Sequence, residues 1–124
     1  MNDTRYQGIV TPILSPVDEH GRLDEPHLRA LTNHLLDGGV HGIFVNSTTG
    51  EGLCLIDEDK NRALECVIDQ VRGRVPVYAG VSDTSVVRAL DQIRIAEQLG
   101  ADVLVAHPPF YFPPNDQSEL DHYF

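Results

Sequence analysis

Short apolar runs alternate with helix-like stretches along this chain. Segments such as Ile43-Phe44-Val45 and Val103-Leu104-Val105 are apolar at consecutive positions rather than at alternate ones. Strands of that kind need cover on both faces, which is typical of a parallel sheet flanked by helices. Four such runs recur at the spacing of a strand followed by a helix, at residues 8–14, 41–46, 75–81 and 102–107.

Each strand-like run is followed by apolar residues at helical spacing. In the first helix Asp24 can cap the start, Pro26 stands in the first turn and Gly38-Gly39 end it. The second helix is predicted over 57–72 and the third over 85–99, and a fourth begins near Gln117. The positions predicted to face inward are Leu28, Leu31, Leu35 and Leu36 in the first helix, Leu64, Val67, Ile68 and Val71 in the second, and Ala89, Leu90, Ile93 and Ala96 in the third.

The predicted order, βαβαβαβ(α), is shared by open doubly wound sheets and by (βα)₈ barrels. A doubly wound sheet usually has a glycine-rich turn after its first strand, whereas here Thr11-Pro12-Ile13-Leu14-Ser15-Pro16 follows. A barrel is therefore favoured. A complete barrel has eight strands and about 250 residues. We accordingly expect residues 1–124 to be a partial (βα)₈ barrel domain, cut off before the fifth strand, with open edges at the first and fourth strands.

Composition narrows the classes of partner. The chain has 9 basic and 19 acidic side chains and a formal net charge of −10, which argues against binding nucleic acid or anionic lipid. Residues 1–6 have no apolar core of a secretory signal, and no stretch approaches the roughly 18 apolar residues of a membrane span. Together with Cys54 and Cys66, interpreted as reduced thiols, these features indicate a cytoplasmic protein.

Four histidines, at positions 20, 27, 34 and 41, recur every seven residues. Only His27 and His34 would share a helix, two turns apart and without a carboxylate pattern between them. Solvated or capping histidines are the expected outcome, and no metal site is predicted.

The richest chemistry lies in the run Asn46-Ser47-Thr48-Thr49-Gly50-Glu51-Gly52, which follows the second predicted strand. In α/β folds the carboxyl ends of strands carry the functional groups. Hydroxyls and backbone N–H groups in a loop that leads toward a helix suit the binding of an anion. The alternative is that the run is only a turn and a helix entry.

Ser47-Thr48-Thr49-Gly50-Glu51 resembles the G-[ST]-T-G-E loop of the pyruvate-dependent class I aldolases and lyases, the family of dihydrodipicolinate synthase and N-acetylneuraminate lyase. The resemblance extends along nearly the whole chain. It rests further on Gly8-Ile9-Val10-Thr11-Pro12, Gly39-Val40-His41-Gly42, Arg74-Val75-Pro76-Val77 with Ala79-Gly80, Gly100-Ala101-Asp102 and Pro108-Pro109-Phe110-Tyr111.

The resemblance implies a Schiff-base reaction. A lysine amine forms an imine with pyruvate or another 2-oxo acid, and the imine withdraws electrons from the carbon–carbon bond that is made or broken. No cofactor is expected. The family pattern implies that Thr48, Thr49 and Gly50 bind the substrate carboxylate and that Thr48 also serves a proton relay. It implies that Tyr111 completes this relay in a neighbouring subunit of a homo-oligomer, although Tyr111 can instead be an aromatic wedge in a stiff proline-rich loop.

Two positions depart from the family pattern, and two more have open roles. Ser47 replaces a common glycine, which restricts the backbone, and Phe110 replaces a usual tyrosine, which removes a hydroxyl. Glu51 is interpreted as orienting the loop or entering a helix's first turn rather than as an acid or base. His107, at the end of the fourth predicted strand, either lines the site or is structural.

The family's imine-forming lysine belongs to the sixth strand, beyond position 124. The single lysine here, Lys60, follows Asp57-Glu58-Asp59, which favours its charged form, so it is not a candidate nucleophile. Two hypotheses follow. The chain is the N-terminal part of a Schiff-base lyase that requires a C-terminal half-barrel, or it is a non-catalytic half-barrel that serves binding or assembly.

Overall fold

Four parallel strands form one sheet whose spatial order, β1-β2-β3-β4, follows the order of the chain. The computed structural model describes residues 4–124; residues 1–3, which belong to the segment inspected for a secretory signal, lie outside the described residues. The strands are shorter than the apolar runs that predicted them, because the residues at the ends of each run belong to the loops that connect strands and helices. Their bounds are β1 Val10–Pro12, β2 Gly42–Val45, β3 Val77–Gly80 and β4 Val103–Val105.

Four helices alternate with the strands as predicted. The Asp24 side chain accepts a hydrogen bond from the N–H of His27 at the start of the first, and Gly100 ends the third at φ +90°. The helix bounds are α1 Glu25–Asp37, α2 Asp57–Val71, α3 Val86–Leu99 and α4 Gln117–Tyr123, with short 3₁₀ turns at Thr4–Tyr6 and Gly52–Cys54.

The hydrophobic core lies between the sheet and helices α1 and α2. Ile43 and Val45 of β2 are 0% and 1% exposed, and they pack with Leu28 of α1 and Val67 of α2. The predicted inward face of α3 is wrong at one position, since Leu90 is 44% exposed. The buried Ala89 and Ala96 and the partly buried Ile93 form the inward stripe, and Leu90 lies about one quarter turn to its side.

The other face of the sheet is lined in register by residues of neighbouring strands. Phe44 pairs with Tyr78, and Tyr78 pairs with Val103, so these three side chains form one row across β2, β3 and β4. All three are half-buried. Strands β1 and β4 are the edges of the sheet formed by residues 4–124, as expected for the first half of a barrel.

Candidate functional site

The loop after β2 folds into a tight turn at the carboxyl end of the strand. The N–H of Gly50 donates to Ser47 Oγ at 3.1 Å, and the N–H of Glu51 donates to the Thr48 carbonyl at 3.1 Å. Ser47 and Gly50 are buried, whereas Thr48 and Thr49 are exposed. Within residues 4–124 the N–H groups of both threonines have no acceptor. The turn thus presents two hydroxyls and two backbone donors to the solvent.

Close backbone contacts hold this turn in place. Asn46 has φ +55°, a left-handed conformation that asparagine tolerates better than most residues. A Cβ on Gly80 would lie 2.3 Å from the Asn46 carbonyl oxygen, and a Cβ on Gly50 would lie 2.5 Å from the Ile13 carbonyl oxygen. The loop therefore rests directly on the ends of β1 and β3, and only glycine fits at these two positions.

Thr48 borders a hollow of about 100 Å³ at the mouth of the half-barrel. Asn46 contributes its side chain there: Nδ2 donates to the Lys60 carbonyl at 3.0 Å, while Oδ1 is buried without a partner among the described residues. The residues that line the hollow are Phe44, Asn46, Ser47, Thr48, Leu53, Gly80, Ser82, Val105 and His107.

Thr49 and Gly50 border a different hollow, which they share with Leu14, Ser15 and Pro16 after β1. The two threonines that the sequence analysis grouped together therefore lie at one strand end but face separate spaces. Gly50 contributes close packing rather than an unoccupied donor, because its N–H is bonded to Ser47.

Tyr111 lies on the proline-rich loop after β4. Its side chain is 73% exposed and contacts Phe112 edge-on, with ring centroids 4.8 Å apart. It does not line the hollow beside Thr48. Within this single chain the structure does not bring Tyr111 and Thr48 together.

His107 and Glu51, whose roles the sequence left open, lie in different parts of the structure. His107 lines the hollow beside Thr48, and its backbone N–H donates to Ser82 Oγ at 2.9 Å. Glu51 has φ +53° and precedes the 3₁₀ turn Gly52–Cys54, and within the described part of the chain its side chain makes no capping hydrogen bond. It stands five residues before Ile56, the residue that precedes α2, so it is not in the first turn of that helix.

Lys60 is buried, a feature that sequence reasoning missed. Its side chain is 7% exposed and Nζ lies 3.0 Å from Asp57 Oδ1, which also accepts from Arg88 at 3.1 Å. The hydrogen bond from Lys60 lowers the pKa of Asp57 below its usual value. The three-residue spacing of Asp57 and Lys60 on a helix is the one sequence signal for this pair.

The network continues to the end of β3. Arg88 Nε lies 3.0 Å from Oδ2 of the buried Asp83, and the hydroxyl of Tyr123 donates to the Asp83 carbonyl at 3.2 Å. These contacts join α2, α3 and α4 beside the loops that border the hollow. They are long-range contacts, which local sequence patterns do not reveal.

Metal-binding and thiol chemistry have a limited basis in the described residues. Among residues 4–124 no group of three or more His, Cys, Asp or Glu side chains is arranged to hold a metal ion. Cys54 is exposed and Cys66 is buried, and both are free thiols. Burial raises the pKa of the Cys66 thiol.

No helix of residues 4–124 has both the length and the apolar character of a membrane span.

The fold and the loop at its mouth define an α/β protein built as the first units of a (βα)₈ barrel. Comparison with known families agrees: residues 5–124 match the family described as the dihydrodipicolinate synthetase family. The chain belongs to this family, and the predicted family and fold class are confirmed.

Individual relatives are similar along almost the whole chain. A 4-hydroxy-tetrahydrodipicolinate synthase of Thermus thermophilus is 40% identical over 96% of this chain and 39% of its own length. YagE of E. coli K12, a prophage protein of the dihydrodipicolinic acid synthase family solved in complex with pyruvate, has a TM-score of 0.89 at 31% identity, over 95% of this chain and 39% of its own.

N-acetylneuraminate lyase of Mycoplasma synoviae has a TM-score of 0.90 at 26% identity, over 98% of this chain and 42% of its own. The chain thus spans about 40% of the length of the curated relatives it matches.

Proposed function

We propose that this chain is the N-terminal part of a Schiff-base-forming lyase or aldolase that acts on pyruvate or another 2-oxo acid. Its contribution is the substrate-carboxylate loop, with Thr48 and Thr49 as donors and Gly50 as the close contact that shapes the turn. The observation that supports this most is the pair of exposed threonines at the carboxyl end of β2, whose N–H groups have no acceptor among residues 4–124. Backbone donors and hydroxyls of this kind suit a carboxylate.

The imine-forming amine in this proposal comes from the rest of the barrel. Lys60 is unsuitable because a Schiff-base lysine needs a free amine, whereas Nζ of Lys60 is engaged in an ion pair, 3.0 Å from Oδ1 of the half-exposed Asp57. Thr48 takes part in proton transfer at the mouth. Tyr111 completes that relay from a second subunit, and its exposure leaves it available for such a contact. The homo-oligomer and the cytoplasmic location remain predictions.

A test of the reaction is borohydride reduction in the presence of pyruvate. A stable mass adduct on this chain alone would place the nucleophile on it and contradict the assignment. An adduct that appears only after a C-terminal half-barrel is added, and that maps to that half, supports the proposal.

Pyruvate binding tests the loop separately. We expect Thr49→Ala to weaken binding by about tenfold, since one hydrogen bond to a charged group is lost, and Thr49→Ser to retain most of it. Calorimetric titration measures both, with Thr84→Ala, an exposed threonine in the loop after β3, as the control. Equal affinities for all three variants would remove Thr49 from the site.

The alternative function is a non-catalytic half-barrel that binds a 2-oxo acid or assists assembly. The burial of the chain's single lysine amine favours it, because that amine is engaged in an ion pair. Binding that depends on Thr49 without an adduct under any condition would support this function instead.

A further inference from the structure

A further hollow lies at the amino ends of the strands, at the opposite end of the sheet from the threonine loop. Its volume is about 270 Å³, and it is bordered by the N-terminal segment, by the residues before β2 and by the residues between α2 and β3. Three side chains of this amino-end hollow carry or can carry a positive charge, namely Arg5, His41 and Arg74. These basic groups contrast with the formal net charge of −10 of the whole chain.

Arg74 is held in a fixed position at the end of α2. Its Nε donates to the Val71 carbonyl at 3.0 Å, and its Nη2 donates to the Gln70 carbonyl at 2.7 Å. Among residues 4–124, Nη1 has no acceptor and no carboxylate forms an ion pair with this guanidinium. The C-terminal end of a helix carries about half of an elementary negative charge, so the full charge of Arg74 leaves a positive excess there.

His41 offers a donor with a defined position. The backbone N–H of Ile9 donates to His41 Nδ1 at 3.0 Å, so Nδ1 holds no proton and the neutral ring carries its proton on Nε2. Gly8 has φ +105°, and a Cβ there would lie 2.4 Å from Cγ of His41. The backbone of Gly8 therefore lies against the ring and limits its rotation. Nε2 has no acceptor in the described part of the chain.

Two further groups border the same hollow. The backbone N–H of Gly73 has no acceptor within residues 4–124. Arg5 forms an ion pair with Asp102, whose Oδ2 also accepts the N–H of Val77 at 2.9 Å. This ion pair fixes the N-terminal segment beneath the sheet and keeps a second guanidinium at the hollow.

The donors come from separate segments and so approach the hollow from different sides. A phosphate group has three strong acceptor oxygens in a tetrahedral arrangement, whereas a carboxylate has two oxygens in one plane. Guanidinium groups form short, charge-assisted hydrogen bonds with phosphate. The acidic balance of the chain disfavours an extended polyanion, so the ligand that fits is a small phosphate.

We propose that the amino-end hollow binds a phosphate group, either the free ion or the monoester of a small molecule, through Arg74, His41 and the N–H of Gly73. The bound phosphate joins the end of α2 to the start of β2. This site lies at the other end of the strands from the threonine loop, so the inference does not depend on the proposed lyase function.

The test is calorimetric titration of the complete protein that carries this chain, at constant pH and ionic strength, with inorganic phosphate, phenyl phosphate and acetate. We expect acetate to bind at least about tenfold more weakly than the tighter of the two phosphates, since it makes fewer charge-assisted hydrogen bonds. Tighter binding of inorganic phosphate assigns the site to the free ion, and tighter binding of phenyl phosphate assigns it to a monoester. The inference is wrong if neither phosphate binds or if acetate binds as tightly.

Arg74→Gln should weaken the binding of phosphate by about tenfold, because a charge-assisted hydrogen bond is lost. Arg94→Gln is the matched control: it removes the same charge from α3, where the Arg94 side chain is 64% exposed and pairs with Asp91. His41→Phe should weaken binding by about fivefold, since it removes a neutral donor and keeps an aromatic ring. Equal losses in Arg74→Gln and Arg94→Gln would show a general effect of charge and would overturn the inference.

Nitrogen-15 spectra of labelled histidine test the site in the unaltered protein, so this measurement does not depend on a variant folding. The Nε2 resonance of His41 should shift on addition of phosphate, while that of His20, whose side chain is 76% exposed, should not. If the rest of the barrel places a carboxylate in the hollow, phosphate produces neither heat nor a shift at His41. That result also contradicts the inference.

Discussion

At the scale of the residue, Ser47 shows how one side chain decides which donors a loop can offer. Its hydroxyl is buried and accepts the N–H of Gly50, so this N–H is not available to a ligand. The sequence placed Thr48 and Thr49 at a strand end, which is where the structure has them. It did not reveal that they face two hollows, because the direction of each side chain depends on the unusual backbone of Asn46 and on contacts with Ile13 and Gly80.

Replacing Ser47 by alanine should lower the free energy of unfolding by about 1–2 kcal/mol, since the Gly50 N–H is then buried without an acceptor. Urea unfolding followed by circular dichroism measures the change. Ser118→Ala, at an exposed position on α4, is the control and should stay within about 0.5 kcal/mol. Similar values for the two variants would show that the Ser47 hydrogen bond contributes nothing to stability.

At the scale of the element, the order of four strands and four helices was predicted, and the pattern is clearest in α1, α2 and α3, which bury the apolar residues that sequence periodicity records. In α4 no residue is buried. The strand ends were less predictable. The run 75–81 contributes only Val77–Gly80 to the sheet, since pairing depends on the neighbouring strands. Leu90 was placed inward because its spacing fits a helix face, yet the width of that face is set by what packs against α3. Among the described residues α3 contacts chiefly α2.

Leu28 tests the contact of α1 with the sheet. It is fully buried in the core, so Leu28→Ala should lower the free energy of unfolding by about 2–5 kcal/mol through lost burial and a residual cavity. Thermal and urea denaturation both report it. Val87→Ala on α3 is the control, since that side chain is 68% exposed and should cost less than about 0.5 kcal/mol. A small loss at Leu28 would mean that α1 is not part of the cooperative core.

At the scale of the whole molecule, the charge balance is acidic, and many carboxylates are held by arginine or by lysine. Hydrogen bonds from Arg22 lower the pKa of Asp59, and those from Arg29 lower the pKa of Glu25. Lys60 has the same effect on Asp57. The same three carboxylates also pair across elements, Asp59 with Arg22 of the loop before α1, Glu25 with Arg62 of α2 and Asp57 with Arg88 of α3, so the ion pairs act both within helices and between elements.

This pattern predicts that the protein loses stability in acid. A carboxyl with a lowered pKa binds fewer protons in the folded chain than in the unfolded chain. Its stabilising effect is therefore complete at a pH above its usual pKa, near 4, and is lost as the pH falls through the lowered pKa of the folded chain. The urea midpoint should therefore be lower at about pH 3 than at about pH 6. Asp57→Asn should make the difference between these two midpoints smaller. A midpoint that is the same at both pH values in the unaltered protein would contradict the predicted loss of stability in acid.

The agreement between spatial and chain order has a consequence for biosynthesis. Among residues 4–124, each strand after β1 pairs with the strand made just before it, and no strand must be inserted between two that are already paired. Because the ribosome synthesises the chain from its amino end, each new strand emerges when the strand with which it pairs has already been made. Docking can advance along with translation, and the newest strand is always the one that offers its free edge to the next arrival.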